Sequence, residues 1–517
     1  MKTLSNSNAK AIARARSRKD TSAFEYEAVQ STNRRKVTPA GQKPHQDVIL
    51  KRHERKKGER ATNDLLDNIP LAGWMIRRHL DAVSSFYFDV DAKAGDMRKT
   101  VMDLLDWHGQ ARNYDAAKRH SRDEAMRLFE LNKVLDGDSL KVKLTAKSSP
   151  RYGSIQLIEG SQITKPADLP KALQSMDKDG NPRVTDQGLE LDEFGGVKSY
   201  IVCKYARGQR VLKYDRRVLA RNAIYSGYFE RYAQTRGISP LMCAINQFLD
   251  IKEGMEYILL KIKLHSLFGI AITQNAVDSV DGLPSSGEYV DDEEAGEDSE
   301  PQQDVSREID MSNGPFNLNL IPGEEAKTIE SDTPPESVRD YTGLAIRCAL
   351  LALDIPYTFF DGRSASFSHI IADRKMYEES VRSKRQKNEE VMEQYLDWVI
   401  QMWIDDGKIT GMTYEELRPL VHVHPRPSPW LDKMNEIRAS EREVAIGLKS
   451  IPTLGKERGI DVYAELEKQS EYLERARTAN VPIYIADPGQ RSDRDNEIDN
   501  EIKEIKEEQE RNDNSSE

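Results

Sequence analysis

Apolar positions along the chain change their spacing twice, and each change marks a change of structure. Leu65, Ile69, Trp74, Ile76, Leu80 and Val83 recur at helical intervals, after which Phe86-Tyr87-Phe88 begins a strand. Two further helices are predicted over Asp96–Ala111 and Tyr114–Asn132, with stripes Val101, Leu104, Leu105 and then Met126, Phe129, Leu131. From Ser139 the period falls to two. The segments LKVKLTA, GSIQLIEG, GLELDEFGGVKSYIVCKY and RVLKY lie between Gly, Pro and Asp turns and predict a small antiparallel sheet. Within it, Glu193-Phe194-Gly195-Gly196 reads as a hairpin turn.

The helical period returns at Gly237-Ile238-Ser239-Pro240. A serine hydroxyl can cap a helix, and proline at the first position has no donor to lose. Leu241, Ile245, Phe248, Met255, Leu259 and Ile262 follow at helical spacings, and the pattern runs on towards Phe268. At ~1.5 Å per residue this predicts a rod of roughly 40 Å. A Gly/Ser/acidic stretch (Asp281–Gln303), a short strand FNLNLIPG and Thr333-Pro334-Pro335 come next. A second apolar helix carries Tyr341, Leu344, Cys348, Leu351 and Ile355 on one face. A short loop, Asp361-Gly362-Arg363-Ser364-Ala365-Ser366, then leads into a long charged helix from about Ser368 to Asp405. That helix is anchored by Ile370, Tyr377, Val381, Val391, Tyr395, Trp398 and Met402, with the basic run RSKRQK (Arg382–Lys387) between the anchors. Short helices are predicted over Leu431–Lys449 and Val462–Ala479.

Length and charge refine this picture. At 517 residues the chain exceeds what one core usually supports, so several units are expected. The three cysteines, Cys203, Cys243 and Cys348, follow no metal or redox spacing and are expected to be buried apolar fillers. The basic N-terminus has no apolar core of signal-peptide length, and no run reaches the roughly 20 apolar residues needed to span a bilayer. The net charge of −11 is unevenly spread. Residues 1–60 are rich in Lys and Arg and read as a flexible basic arm, whereas Glu288–Glu300 and the tail from Asp493 are acidic.

Catalytic motifs do not emerge. There is no P-loop, no dinucleotide fingerprint and no G-x-S-x-G. Asp177–Gly188 resembles a calcium loop, but its glycine sits at position four and position twelve is Gly188, not a glutamate, so a polar turn is expected. His422 and His424 could share one face of a strand as metal ligands but lack a third ligand nearby. The chain is therefore expected not to be an enzyme and to need no cofactor.

Several of these segments, in order, resemble the portal proteins of tailed bacteriophages, in the lambda branch. They are LLDNIPLAGWMIRRHLDAV; IQLIEGSQI with GLELDEFGGVKSYIV; TRGISPLMCAINQFLDIKEGMEYILLKIKLHSLFGIAIT; LNLIPGEEAKTIESDTPP; LDIPYTFFDGRSASFSHIIADR; and PWLDKMNEIRASEREVAIGLKSIPTLGKERGID. Departures from the family pattern are Lys433 in place of a proline, His369 in place of a serine, and the acidic insertion at Glu288–Glu300.

The resemblance implies an α+β, mostly helical portal fold with an α/β wing, a two-helix stem, a clip, a tunnel loop and a helical crown. On this chain the parts would be the arm at 1–60, wing 61–237, stem helix 238–273, clip 274–332 and second stem helix 333–354. The tunnel loop would occupy 355–368, the helix returning to the wing 369–428, the crown 429–492 and the acidic tail 493–517. Stem packing would fall to Leu241, Ile245, Phe248, Leu259, Ile262, Leu344, Cys348 and Leu351. The channel loop would present Asp361, Gly362, Arg363, Ser364 and Ser366 to DNA, and the clip would meet the motor around Phe316, Leu318, Leu320 and Glu324. The function implied is a head–tail connector, a ring of about twelve copies at one capsid vertex through which double-stranded DNA is packaged and ejected without sequence specificity. Implied partners are the terminase large subunit, which supplies ATP hydrolysis, capsid and scaffold proteins, and tail connector proteins, with assembly in the host cytoplasm and final residence in the virion. The readings set against this are a metal-dependent nucleic-acid enzyme built on His422 and His424, and a monomeric virion adaptor or scaffold protein.

Overall fold

A computed structural model of the chain describes residues 50–176, 180, 182–206, 211–232, 234–267, 270–274, 324–328, 336–363, 365–427 and 433–479. In chain order the helices of more than one turn are α1 (Arg52–Asn68), α2 (Pro70–Val83), α3 (Met97–Gly109), α4 (Arg122–Asp136), α5 (Ile245–Leu267), α6 (Glu336–Leu350), α7 (Phe367–Asp405), α8 (Lys433–Ala445), α9 (Ile451–Glu457) and α10 (Val462–Thr478). The strands are β1 (Phe86–Val90), β2 (Asp138–Lys143), β3 (Ile155–Glu159), β4 (Leu189–Leu191), β5 (Val197–Tyr205), β6 (Leu212–Leu219), β7 (Ala223–Gly227), β8 (Ile270–Gln274), β9 (Glu324–Thr328) and β10 (Val421–Pro425). The fold is α+β and mostly helical.

All strand pairings among the described residues are antiparallel ladders, in the orders β3-β2-β7, β4-β5-β6, β1-β10 and β8-β9. The β4–β5 turn falls on Asp192–Gly196, where the Asp192 carboxylate accepts the amides of Phe194 and Gly196 and Gly195 takes a left-handed φ of 83°. β7 was not anticipated, because it alternates weakly; β10, considered only as a strand that could carry His422 and His424, buries Val421 and Val423 on its other face.

Helix boundaries differ from the sequence expectation for identifiable reasons. α1 begins at Arg52, inside the expected arm, because the Glu54 carboxylate accepts the Lys51 amide at its start. Its buried face is largely polar (Arg55, Gly58, Glu59 and Thr62), so an apolar count passes over it. α4 begins at Arg122, not Tyr114: Ser121 and Glu124 form a reciprocal capping box, and the six preceding residues wrap around Asp115 instead.

Ser239 does cap, its hydroxyl accepting the Leu241 amide at 3.1 Å and donating to the Val134 carbonyl at 2.6 Å. The first turn (Pro240–Ala244) is 3-10, and the rod ends at Leu267. Ile270–Gln274 was expected to belong to the rod or to lie just beyond it. It is instead strand β8, paired with β9 from Ile270 opposite Thr328 to Gln274 opposite Glu324. The β-branched Ile270, Ile272 and Thr273 suit a pleated strand better than a helix. Phe316, Leu318 and Leu320 lie outside the described residues. Of the cysteines only Cys203 is buried; Cys243 and Cys348 are exposed, on faces that the chain's own core does not cover.

Of four buried clusters among the described residues, the two largest organise the body. One gathers Leu65, Met75, Ile76, Leu241, Phe248, Leu350 and Val381 from α1, α2, α6, α7 and the root of α5. The other gathers Phe88, Leu105, Phe129, Tyr395, Val399 and Trp403 from β1, α3, α4 and the far half of α7. The 39-residue α7 enters both and is the spine of the molecule.

A buried ion pair joins the sheet to the root of α5. Arg236 and Asp138 are both fully buried, with Arg236 Nε to Asp138 Oδ2 at 2.6 Å and Nη2 to Oδ1 at 2.7 Å. The remaining guanidinium hydrogens go to the carbonyls of Ile163, Gln187 and Gly160. Burial alone would raise the Asp138 carboxyl, but the Arg236 charge and hydrogen bonds outweigh it and hold it below its ordinary value. Beside the pair, Gly137 and Gly237 touch: a Cβ on Gly237 would stand 2.1 Å from the Gly137 carbonyl oxygen. Arg236→Ala would leave the Asp138 carboxylate buried without its cation and should cost about 3–5 kcal/mol in denaturant unfolding. An unchanged midpoint would contradict this account.

Lys141 in β2 is fully buried, and no carboxylate among the described residues pairs with it. Its Nζ lies 3.5 Å from the Met126 sulfur and 4.7 Å from the centre of the Phe129 ring. Burial, helped by Lys133 and Arg122, lowers its pKa from 10.5 to about 7. Between those values the unfolded chain holds a proton that the folded chain does not, so this group adds stability as pH rises from about 7 to 10.5. Below about 7 its full penalty applies. Lys141→Met should therefore stabilise the protein at neutral pH by about 1–3 kcal/mol and flatten the pH dependence of unfolding in that window. Equal slopes for variant and parent would refute it.

Candidate functional site

Two apolar rods and the loop behind them form the most distinctive region. α5 and α6 pack side by side, and β8 and β9 extend the pair at its far end. Leu241 and Phe248 are buried in the chain's own core, with Ile245 packed against it. Further along α5, among Lys252, Glu253, Glu256, Lys261 and Lys263, large apolar side chains continue that no described residue buries. Leu259 is 51 % exposed, and Met255, Leu260 and Ile262 are exposed with it.

On α6 the expected face and the observed one differ. Ile346, Ala349 and Leu350, together with Leu353 beyond the helix, turn into the core. Tyr341, Leu344, Cys348 and Leu351 form a second stripe facing outward, with Leu344 56 % and Leu351 68 % exposed. The sequence stripe was real, but it is not the one this chain buries. Ile355, the last of that expected face, belongs to the inner set.

The α6–α7 connection is held firmly at its root. Asp354 adopts a left-handed φ of 61°, and its carboxylate accepts the Lys384 ammonium at 2.8 Å. The Ile355 amide donates back to the Leu350 carbonyl. Tyr357–Phe359 is a 3-10 turn under three aromatic contacts: the Arg347 guanidinium 4.6 Å over Tyr357, Phe359 edge-on to Tyr377 at 5.2 Å, and Phe360 edge-on to Trp74 at 5.8 Å. The Thr358 hydroxyl donates to Asp373 at 2.6 Å.

Only the tip projects. The Arg363 side chain is 94 % exposed, with Asp361 Oδ1 3.9 Å from its Nε and accepting its backbone amide at 3.1 Å. One carboxylate thus softens the one cation. Ser366 caps α7, its hydroxyl accepting the His369 amide at 3.3 Å, so its first role is structural. Ser364 lies outside the described residues.

Gly362 needs no special backbone, because a Cβ there would meet only the Thr358 carbonyl at 3.4 Å. The bend is made by Asp354, not by Gly362. The basic run RSKRQK is partly absorbed here too. Lys384 holds Asp354, and Arg385 donates to the Ala82 carbonyl at 2.7 Å, while Arg382 forms an exposed pair with Glu379.

Residues 31–372 match the family described as phage portal protein, lambda family. The chain belongs to that family. No curated protein matches this portal-family chain in sequence. Its fold is similar to that of chains in three solved structures. One is the virion of a native gene transfer agent particle, with a TM-score of 0.44 and 11 % identity over 77 % of this chain and 93 % of that one. Another is the neck of an empty particle of that kind computed with C6 symmetry, at 0.44 and 12 % over 77 % and 93 %. The third is the neck of a native particle computed with C12 symmetry, at 0.43 and 11 % over 76 % and 92 %.

The other candidate chemistry of this portal-family chain sits in β10 and in the 177–188 turn. His422 Nε2 lies 3.4 Å from Asp91 Oδ2, and the His422 and His424 rings stack at 6.1 Å. His424 is half-buried, and burial lowers its pKa. No group of three His, Cys, Asp or Glu among the described residues is placed to hold a metal. Asp177, Asp179 and Asn181 lie outside the described residues.

The structure separates the loop into a pinned root and a free tip, and stability should follow that division. Phe359→Ala should cost about 2–3 kcal/mol, short of the full price of an entirely buried ring. Gly362→Ala should change stability by less than about 0.5 kcal/mol or raise it slightly. Thermal unfolding of both variants decides the matter, and a larger loss at Gly362 than at Phe359 would reverse the assignment.

Proposed function

We propose that this chain is the portal subunit of a tailed-phage-type particle, assembling into a ring of about twelve copies around a DNA channel. The observation that carries the reading is the uncovered apolar surface of α5 and α6. Large apolar side chains left exposed along neighbouring helices mark an interaction face. A neighbouring copy, set side by side around a closed ring, would cover Leu259 and Ile262 of one subunit with Leu344, Cys348 and Leu351 of the next.

In that ring α5 and α6 form the stem, and the connection that follows is the tunnel loop. Arg363 gives one phosphate-directed cation per copy, tempered by Asp361. This suits transient contact, since a denser set of cations would displace counterions and hold the DNA in place. The net charge of −11 agrees with a channel that does not grip its cargo. The region between β8 and β9, together with Glu324 at the start of β9, is where the terminase large subunit would dock. Capsid, scaffold and tail connector proteins would meet the outer surfaces, placing the protein at one vertex of the virion after assembly in the host cytoplasm. Nucleotide hydrolysis would belong to the terminase.

Negative-stain microscopy and native mass spectrometry of the purified chain should show closed rings with a central hole. Leu259→Asp combined with Leu344→Asp should leave helical circular dichroism unchanged and abolish the rings. A parent protein that stays monomeric at all concentrations, or a double variant that still closes, would overturn the reading.

A further inference from the structure

Away from the rods, a pocket of about 280 Å³ opens between the C-terminal end of α3, the turn that follows it, the β2–β3 connection and the end of α7. Its wall is cationic. Arg112, Lys118, Arg151 and Lys408 line it, against the carboxylates Asp115 and Asp406. Both carboxylates are engaged elsewhere. Asp115 accepts the backbone amides of Ala117, Arg119 and His120 at 3.0, 2.9 and 3.3 Å. Asp406 accepts Lys147 Nζ and the Tyr152 hydroxyl, each at 3.0 Å. Among the described residues, neither Lys118 nor Arg151 forms an ion pair with them, so two cations are left facing open space.

Two further features give this charge a shape. Lys118 is one of two non-glycine residues with a left-handed backbone among the described residues, at φ 60°, and the Asp115 turn holds it there. The turn thus sets the point from which the Lys118 side chain leaves the backbone. Trp107 is 42 % exposed at the mouth, and the Lys408 ammonium lies 4.8 Å from the centre of its ring. A large flat aromatic left in water beside unpaired cations offers a stacking surface next to an anion site. The floor is closed by buried His108, both of whose nitrogens are engaged, with Tyr395 and with the Gly153 carbonyl.

We propose that this pocket binds one nucleotide unit, with its phosphate on Lys118 and Arg151 and its base against Trp107. The volume is at the low end for ligand pockets and admits one phosphate with one ring system, not a duplex. The unit can come from a free nucleotide or from a single-stranded nucleic acid. An acidic peptide would satisfy the cations but leave Trp107 without a role. The site does not depend on ring formation, so it stands or falls separately from the channel.

The test uses the full chain, titrated with dAMP, an oligo-dA single strand, inorganic phosphate and a poly-Glu peptide. Binding is read by calorimetry and by quenching of tryptophan fluorescence, with Trp107→Phe identifying the share of Trp107 among the five tryptophans. dAMP should bind more tightly than phosphate and quench Trp107. The pair Lys118→Ala and Arg151→Ala should weaken dAMP binding by about 10–100-fold without lowering Tm. If oligo-dA competes with dAMP, the source is a nucleic-acid strand; if dAMP binds and the strand does not compete, it is the free nucleotide. The proposal fails if phosphate binds as well as dAMP, if poly-Glu displaces the nucleotide, if the double variant binds unchanged, or if neither nucleotide nor strand binds.

Discussion

The placement of the rods relative to the body rests on one buried contact, Arg236 against Asp138. Asp138 opens β2 directly after α4, and Arg236 stands just before the turn that starts α5, so the pair ties the sheet, α4 and the rod at one point. An isolated charge could not be buried there, because losing water would cost more than the pair returns. What makes it tolerable is complete satisfaction: all five guanidinium hydrogens find acceptors, two on the carboxylate and three on backbone carbonyls. The carbonyls belong to loops on either side of the sheet, so the guanidinium also fixes their course. The Gly137–Gly237 contact completes the joint by letting two backbones approach where any side chain would collide.

A second polar network performs the same task at the other end. Glu130 is fully buried and meets Lys133 Nζ at 2.7 Å, the Asn388 amide at 2.8 Å and the Tyr228 hydroxyl at 2.5 Å, with His79 at 3.3 Å. Burial would raise its carboxyl, but the Lys133 charge and these hydrogen bonds reverse that and keep it ionised. Asn388 lies on α7 and also donates to the Val83 carbonyl at the end of α2. The network therefore holds α2, α4 and α7 in register, and with Lys384 and Arg385 it positions the start of α7 and the loop before it. Directional bonds in a low-dielectric interior admit one arrangement where apolar contact alone would admit several.

These joints explain what was legible in the sequence and what was not. Period-three-to-four stripes located α2, α3, α5 and α6, and α7 was legible to within one residue at its start because its apolar anchors continue through the charged surface. The R-G-x-S-P-L run carried a strong signal, since each of Arg236, Gly237 and Ser239 has a backbone-level task. The first part of α1 was missed because its buried side is polar, and α4 was started too early because the Ser121–Glu124 box outranks an apolar count. At the loop, Ser366 caps α7 and Asp354 takes the left-handed φ at the turn, while Gly362 needs no special backbone. None of these roles depends on residue type alone; each depends on what stands opposite in space.

The outward stripe of α6 is the clearest case of a sequence pattern that the described residues of one chain do not bury. Tyr341, Leu344, Cys348 and Leu351 are spaced as carefully as Ile346, Ala349, Leu350 and Leu353, yet a single copy can bury only one of the two sets. On α6 one of two apolar faces is covered, and on α5 beyond Ile251 Met255, Leu259, Leu260 and Ile262 are exposed. The contrast with the body is physical. There, the buried Arg236–Asp138 pair is matched to the last hydrogen, while along the rods large side chains meet water. A sequence selected only for the fold of one copy would carry polar residues at Leu259, Ile262, Leu344 and Leu351. In the ring proposed above, their apolar character would be half of a contact whose other half is a second copy of the same two helices.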